Sequence, residues 1–489
     1  MALTAKDSTR IESRNLIGGQ WVAADGPVIA DLFDPASGQR TGAFRAASLA
    51  QLDSAVSAAR AVLENGWNAT TVQERAAYLS AVLSKVRENA NRLALCISAE
   101  IGAPIDFCHA QQVGTAINHL AATLEASKHH HDDVTPVPEQ TGHRERRVPI
   151  GVAGMITPWN WPVNQIALKF GAALIAGCPM VLKPSELSSR SAVLFAECVH
   201  AAGLPAGVFN LVLGGGEVGA ALASHPDVAI ISFTGSNGVG RQIAVAAARD
   251  FRRCILELGG KSPNLLFDDC DPALAVRQGV AHCFRNGGQS CNAASLMLVQ
   301  RGIYDRVVQL AADEANATPP GMPWEAGTHL GPVISQQQWE RVQGIIQTAI
   351  EQGARLVAGG LGKPQGFNDG YFVEPTVFAD VTPDMDIAHT EVFGPVLSIM
   401  RFDTEEQAVA LANSSPFGLA GYVQTSDAAR ASRVAEALKV GMVQVNGTSR
   451  LPGAPFGGVK ASGIGRESGI WGIRAYTEIT SISGAAKTA

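Results

Sequence analysis

Short apolar runs alternate with helical stretches along most of this 489-residue chain, and that alternation limits its fold more than any other feature. Runs such as VAGMI, PMVLK and AIISFTG are continuously apolar, as strands buried on both faces are. Stretches with apolar residues three and four positions apart, such as ELSSRSAVLFAECVHAAG, separate them. Because parallel strands need crossover helices, the pattern predicts an α/β protein built on open parallel sheets.

The alternation occurs in two series. The first ends with CILEL, and the second includes SLMLVQ, GPVLSIMRF and GMVQVN. We therefore predict two Rossmann-like open-sheet lobes, one from residues 1–130 and 150–259 and one from residues 260–461. HRERRVPIG and TEITSIS fit neither lobe, and we expect them to form a small β oligomerisation arm, residues 131–149 and 477–489, that adds to another subunit's sheet edge.

The charge balance limits the partners that the chain can bind. With a net charge of −6, nothing favours nucleic acid or an anionic membrane surface as a ligand. The N-terminal segment has no apolar core of signal-peptide length, and no apolar run reaches the roughly 20 residues that a membrane helix needs. These features predict a cytoplasmic protein that acts on a small molecule.

The eight cysteines lack CxxC spacing, so most are expected to be reduced packing residues, and Cys291 is the exception. FRNGGQSCNAA places it among glycines and small polar residues, where cover is poor and backbone can approach closely. A thiolate in such a place is a reactive nucleophile. No metal site is predicted, because the adjacent histidines of HHHDD point in different directions and have no distal partner ligands.

Two polar residues near apolar runs could assist such a nucleophile. Glu257 lies inside the run CILEL, where burial would raise its pKa as a general base requires, although it could instead pair with Lys261. Asn160 lies in the rigid turn TPWNWP, and its amide could stabilise an oxyanion or simply form the turn.

Three segments that follow predicted strands could bind a nucleotide. PMVLKPSEL places Lys183 and Glu186 at the carboxyl end of a strand, where open parallel sheets bind ligands. LGGGEVG matches G-x-G-x-x-G, but the acidic residue expected about 20 positions later is missing, which argues against a standard Rossmann fingerprint. Glycines of this loop and of FTGSNGVG could still hold a pyrophosphate at helix N-termini.

Seven motifs in order, PWNWP, KPSE, FTGS, ELGGKSP, FRNGGQSC, EVFGPV and PFGGVKASGIGRE, closely resemble the NAD(P)-dependent aldehyde dehydrogenase superfamily over essentially the whole chain. The resemblance implies that the first lobe binds the cofactor and the second is catalytic. It implies that Cys291 attacks the aldehyde, that Asn160 and the Cys291 N–H hold the oxyanion, and that Glu257 activates water. Lys169 and Glu467 match a proton relay.

The same resemblance implies the cofactor contacts. They are Ile156, Thr157, Pro158, Trp159, Lys183, Glu186, Gly215, Gly219, Phe233, Gly235, Ser236, Leu258, Glu391 and Phe393. Glu186 favours NAD because a carboxylate repels the 2′-phosphate of NADP, although some relatives accept NADP.

The substrate pocket implied by the resemblance contains Trp161, Gln165, Leu168, Ser290, Asn292, Arg450 and Phe456. Leu168 stands where many relatives have Trp or Arg, which predicts a wide tunnel for a bulky apolar or aromatic aldehyde. Arg450 would bind a substrate carboxylate if it points inward and would be a solvated charge if it points outward. Two departures from the family pattern, Arg285 and Asn237, are expected to affect packing more than chemistry.

Other functions are weighed against this one. A CoA-acylating relative would generally lack the base at Glu257, a cysteine hydrolase would leave EVFGPV without a purpose, and a non-catalytic member would be expected to lose Cys291, Asn160 or Glu257. The predicted tail strand would leave an unpaired edge in a monomer, so a homodimer or homotetramer is expected.

Overall fold

The fold is described from a computed structural model, which covers residues 13–134, 142–327 and 330–484. In chain order the strands are β1 Arg14–Ile17, β2 Gln20–Ala23, β3 Val28–Phe33, β4 Arg40–Arg45, β5 Asp133–Val134, β6 His143–Pro149, β7 Val152–Thr157, β8 Met180–Pro184, β9 Phe209–Leu211, β10 Val228–Thr234, β11 Arg253–Glu257, β12 Pro263–Leu266, β13 Leu296–Gln300, β14 Arg355–Ala358, β15 Thr376–Ala379, β16 Val396–Phe402, β17 Ala420–Gln424, β18 Met442–Val445, β19 Gly463–Ile464 and β20 Thr477–Ser483.

The helices, in chain order, are α1 Leu49–Glu64, α2 Val72–Glu88, α3 Ala90–Ile101, α4 Ile105–Phe107, α5 Gly114–Ser127, α6 Pro162–Ala176, α7 Ser189–Ala201, α8 Gly216–Ser224, α9 Asn237–Arg249, α10 Pro272–Phe284, α11 Tyr304–Asn316, α12 Gln336–Glu351, α13 Asp386–His389, α14 Glu405–Ser414, α15 Ala428–Ala437 and α16 Gly469–Ala475. A π-helical segment, Cys108–Val113, joins α4 to α5, and the 3-10 turns are Trp67–Ala69, Glu186–Ser188, Arg285–Gly288, Arg301–Ile303 and Lys460–Ser462. No helix within these described ranges is long and apolar enough to cross a membrane.

The first sheet has eight strands in the order β19-β11-β10-β7-β8-β9-β1-β2. The strands from β7 to β11 pair in parallel, and β7 and β8 are buried at every position, as strands covered by helices on both faces must be. The second sheet has seven strands in the order β14-β15-β16-β13-β12-β17-β18 and is also largely parallel. The predicted α/β fold with two sheet lobes is confirmed.

The chain passes from the first sheet to the second between β11 and β12, at the predicted boundary near residue 260. It returns after β18, because β19 pairs antiparallel with β11 and sets Gly463 opposite Glu257. Helix α16 then packs against α6 and α5 of the first lobe. The C-terminal segment therefore closes over the region where Glu257 and α6 lie.

The third sheet has the order β20-β6-β5, with Thr477 opposite Pro149 and Ser483 opposite His143. Both segments predicted as arm strands are strands, but β20 pairs first with β6 of its own chain. Strand β20 remains an edge strand, and Ile479 on it is 55% exposed. Residues 1–12, 135–141 and 485–489 of the predicted first domain and arm lie outside the described residues.

Candidate active site

Cys291 follows a turn that only this glycine-rich sequence forms easily. Asn286, Gly287 and Gly288 have φ values of 58°, 65° and 72°, in the left-handed region that favours glycine. A side chain on Gly288 would collide with the carbonyl of Gly394, and one on Gly260 would lie 2.6 Å from the Cys291 carbonyl oxygen. These close approaches explain why glycine is needed at Gly288 and Gly260. They also place the partly exposed Cys291 thiol between the lobes.

Asn160 is held beside this turn by a hydrogen-bond network. Its side-chain Nδ2 donates to the Gln289 carbonyl over 2.9 Å, while its backbone carbonyl accepts from Asn286 Nδ2 over 2.8 Å and from Gln112 Nε2 over 2.9 Å. An amide NH2 has two donors, so this arrangement fixes the Asn160 amide and leaves one N–H for another acceptor. Asn286 and Gln112 could not be singled out from the sequence, because their partner Asn160 lies 126 and 48 residues away along the chain.

Glu257 is 1% exposed, and neither carboxylate oxygen has a hydrogen-bond partner within the described parts of the chain. Burial, and next the charge of Glu467, raise its pKa well above the usual range, while Lys169 and Arg466 act in the opposite sense. The alternative pairing with Lys261 is not observed, since Lys261 Nζ is itself buried without a partner there. The Glu257 carboxylate, a possible proton acceptor, therefore lies at the end of β11 without a hydrogen-bond partner among the described residues.

Lys169 and Glu467 form a buried ion pair behind Glu257. Lys169 Nζ lies 2.6 Å from Glu467 Oε1, and the two residues are 0% and 2% exposed. Ser232 Oγ donates to the same oxygen over 3.2 Å. The structure thus brings both predicted relay residues together with Glu257, through α6, β10 and the segment that follows β19.

Replacing Lys169 by Met is expected to destabilise the protein by about 3–5 kcal/mol, because it leaves the Glu467 carboxylate buried without a counter-charge. The shift of the urea unfolding midpoint at neutral pH measures this. Lys85→Met is the control: it breaks an exposed pair with Glu88 and should cost at most about 1 kcal/mol. Adding Glu467→Gln to Lys169→Met should restore most of the loss, and equal midpoints for the two lysine variants would contradict the assignment.

The Cys291 thiol is held neutral in this structure. Burial, followed by the charges of Glu391 and Glu257, raises its pKa far above the usual range, and two backbone N–H groups, of Cys291 and Asn292, only partly oppose them. The nucleophile must therefore lose its proton when it reacts.

A cavity of about 1150 Å3 lies at the carboxyl ends of the parallel strands of the first sheet, where such sheets bind ligands. The predicted cofactor residues on its wall are Ile156, Thr157, Pro158, Trp159, Lys183, Glu186, Gly215, Gly219, Phe233, Gly235 and Ser236. Leu258, Glu391 and Phe393 are not on that wall. Trp159 meets Phe393 edge to face, with ring centroids 5.5 Å apart, so Phe393 borders the cavity.

Residues in and beside this cavity fit a dinucleotide. Lys183 Nζ donates to the Gly214 carbonyl over 2.7 Å, which holds the ammonium beside the glycine loop. Gly219 lies close to this lysine, since a Cβ there would be in van der Waals contact with Lys183 at 3.5 Å. Glu391 accepts from the Gly260 N–H over 3.1 Å, and burial raises its pKa to about 7.

A second cavity, of about 460 Å3, reaches Cys291 from the other side. The predicted pocket residues Trp161, Gln165, Ser290, Asn292, Arg450 and Phe456 lie on its wall, and Trp161 Nε1 donates to Ser290 Oγ over 2.9 Å. Leu168 is 3% exposed and does not lie on this wall. Arg285 also lies on this wall.

The site has the features of a two-lobed enzyme. A cavity lies at the strand ends of the first sheet, and a second cavity lies beside a cysteine and a buried carboxylate. The model of the aldehyde dehydrogenase family matches residues 21–482. This chain belongs to the aldehyde dehydrogenase family, and it is an oxidoreductase that acts on aldehydes.

Individual relatives are similar to this protein over nearly the whole length of the chain. A 3-succinoylsemialdehyde-pyridine dehydrogenase from Pseudomonas sp is 42% identical over 96% of this chain and 98% of its own. The aldehyde dehydrogenase of Bartonella henselae superposes with a TM-score of 0.95 at 42% identity, covering 97% and 99% of the two chains. A cysteine-to-alanine mutant of aldehyde dehydrogenase C from Pseudomonas syringae, complexed with NAD+ and octanal, superposes at 0.94 with 43% identity and 98% of both chains.

Proposed function

We propose that the protein oxidises an aldehyde to a carboxylic acid with NAD as acceptor, through a thiohemiacetal and then a thioester on Cys291. The observation that carries the proposal is the convergence of three residues: Cys291 on the wall of the smaller cavity, Asn160, whose amide donates to the carbonyl of nearby Gln289, and Glu257, whose charge acts on the Cys291 thiol. The larger cavity would hold the dinucleotide, and the smaller one would admit the aldehyde.

In the first step the Cys291 sulfur bonds to the carbonyl carbon, and its proton is released to solvent through the smaller cavity. The carbonyl oxygen becomes an oxyanion, and the free N–H of the Asn160 amide and the backbone N–H of Cys291 would stabilise it. The C–H bond then breaks as the carbonyl re-forms, which leaves a thioester and releases a hydride. NAD+, when bound, accepts that hydride as a two-electron oxidant.

In the second step water attacks the thioester carbon, and Glu257 takes a proton from that water. The carbon–sulfur bond breaks, the acid leaves as a carboxylate, and the sulfur leaves as a thiolate that regains a proton before the next turnover. The overall balance is one aldehyde, one water and NAD+ giving one carboxylate, NADH and two protons. The base thus decides whether the enzyme turns over or stops at the acyl stage.

NAD is favoured over NADP by the position of Glu186 on the cavity wall, because its carboxylate would repel a 2′-phosphate. The Pseudomonas syringae relative binds NAD+. Glu257 also argues against the two alternatives within the family, since acyl transfer to CoA needs no water-activating base and a structural role needs none of the three residues.

The prediction of an apolar or aromatic aldehyde as substrate depends on a wide tunnel at Leu168. That residue is buried away from the tunnel wall, so it supplies no support for this preference. The substrate class has to be argued from the side chains that do line the tunnel.

Production of NADH tests the proposed reaction. The purified protein is expected to reduce NAD faster than NADP with at least one aldehyde from a panel of short aliphatic, long aliphatic, aromatic and carboxylate-bearing members, measured by absorbance. If none of the aldehydes in the panel led to reduction of NAD or NADP, the proposal would be contradicted.

We also propose that the protein is a cytoplasmic homo-oligomer, a dimer or a tetramer. The free edge of β20, with Ile479 exposed on it, supports assembly because an unpaired edge favours pairing with another chain. Light scattering at micromolar protein is expected to give at least twice the 51.0 kDa chain mass. A monomer mass would contradict this.

A further inference from the structure

The tunnel that leads to Cys291 carries two cations, Arg285 and Arg450, and no acidic side chain among the described residues that line it. Its remaining polar lining consists mainly of amides, hydroxyls and two imidazoles. Burial, with an arginine nearby, lowers the pKa of His119 and of His282 to about 3, so both imidazoles are neutral at physiological pH. Every charge that a molecule in this tunnel would meet on its wall is therefore positive.

The two arginines are not equivalent. Arg450 Nη1 donates to the Ala454 carbonyl over 2.5 Å, and its guanidinium lies 5.2 Å from the Phe456 ring centroid, so protein groups already engage it. The backbone N–H of Arg285 donates to the Ala281 carbonyl, but its guanidinium forms no hydrogen bond or ion pair with any described residue. Its guanidinium has five donors in a fork that suits a carboxylate, and all five remain open to a ligand.

Arg285 and Cys291 lie at different depths in the tunnel. Arg285 belongs to the exposed part of the lining, together with Gln278 and Ser449, whereas Ser290 and Gln165 near the thiol are buried. We therefore place the free guanidinium toward the mouth and the thiol toward the inner end. An aldehyde whose carbonyl reaches Cys291 extends its other end toward Arg285.

We infer that the substrate is an aldehyde that carries a carboxylate at the end remote from its carbonyl, and that Arg285 binds this carboxylate. The inference rests on the proposed aldehyde oxidation. Arg450 adds to the positive field inside the tunnel, and the amide and hydroxyl groups supply further donors. An aldehyde substrate with a purely apolar tail would leave the Arg285 guanidinium without a partner whenever it occupies the tunnel.

The test compares ω-oxo carboxylates of increasing chain length with their methyl esters, which have nearly the same shape and no charge. The wild-type protein is expected to favour the acid by at least about 10-fold in kcat/KM at the best chain length. Arg285→Gln should lower the acid-to-ester ratio by about 10–100-fold, mainly through the KM of the acid. Arg285→Lys should keep more of that ratio than Arg285→Gln, because it keeps the charge.

Arg277→Gln is the matched control. It removes the same charge from an exposed residue on α10, one position from the tunnel residue Gln278, but outside the tunnel wall. The acid-to-ester ratio of the Arg277→Gln variant should equal that of the wild type. If it lowered that ratio as much as Arg285→Gln does, a general change in protein charge would explain the effect and the inference would fall.

A binding measurement gives a second readout. Titration of the Cys291→Ala protein with the dicarboxylate product by calorimetry is expected to show a Kd that weakens as salt is raised, and a further Arg285→Gln change should remove most of that dependence. An ester preference in the wild type, or an acid-to-ester ratio that Arg285→Gln does not move, overturns the inference while aldehyde oxidation stands. Failure to oxidise either compound defeats the proposed function itself.

Discussion

Replacing Cys291 by Ala is expected to lower aldehyde oxidation by at least about 10⁴-fold, because the covalent intermediate forms on its sulfur. The thiol does not lie on the wall of the larger cavity, so the affinity for NAD should change by less than about two-fold. Steady-state NADH formation measures the first effect, and fluorescence titration with NAD measures the second.

Cys270→Ala serves as the control for Cys291→Ala. Cys270 is also partly exposed, but it precedes α10 and lies on neither cavity wall, and its substitution should leave turnover near the wild-type value. Turnover of the Cys291→Ala protein within ten-fold of the wild type would remove Cys291 from the nucleophile role.

Replacing Glu257 by Gln is expected to separate the two halves of the reaction. The carboxylate oxygens have no partner in the described structure, so the amide occupies the same space and the fold should persist. The first turnover should still release about one NADH per active site, and the steady state should fall by about 10²–10⁴-fold because no base activates water. Rapid-mixing absorbance resolves the burst from the slow phase.

The pH dependence of the wild type follows from the same carboxyl group. Burial raises the pKa of Glu257, so the group gains its proton as pH falls through this raised value and can then no longer accept one. Steady-state turnover should therefore increase as pH rises through this raised pKa, and the slow phase of the Glu257→Gln variant should lose that increase. A normal steady state in the variant would show that another group is the base.

The catalytic residues were predictable because local sequence places each of them. Glu257 ends a strand, Asn160 follows one in a two-proline turn, and Cys291 follows a turn whose φ values require glycine. Their partners were not predictable, because Gln112 and Asn286 reach Asn160 only after the chain has folded. Pairing of β20 with β6 was missed for the same reason, since alternation predicts a strand but not its neighbour.

The tunnel wall was predicted less well, and the reason lies in α6. Nearly every residue of this helix is buried, so its sequence has no amphipathic face that would tell which side chains point into the tunnel. Gln165 does line the tunnel and Leu168 does not. Arg285, at the C-terminal end of α10, also lines the tunnel.

The central claim is a covalent acyl intermediate on Cys291 that Glu257 resolves. The most direct test is to mix the Glu257→Gln protein with NAD and an aldehyde that it oxidises, stop the reaction with acid after the burst, and analyse the peptides by mass spectrometry. The account predicts an acyl group on the peptide that contains Cys291, in an amount equal to the NADH released. NADH formation without an acyl group there, or with the acyl group on another cysteine, would contradict it.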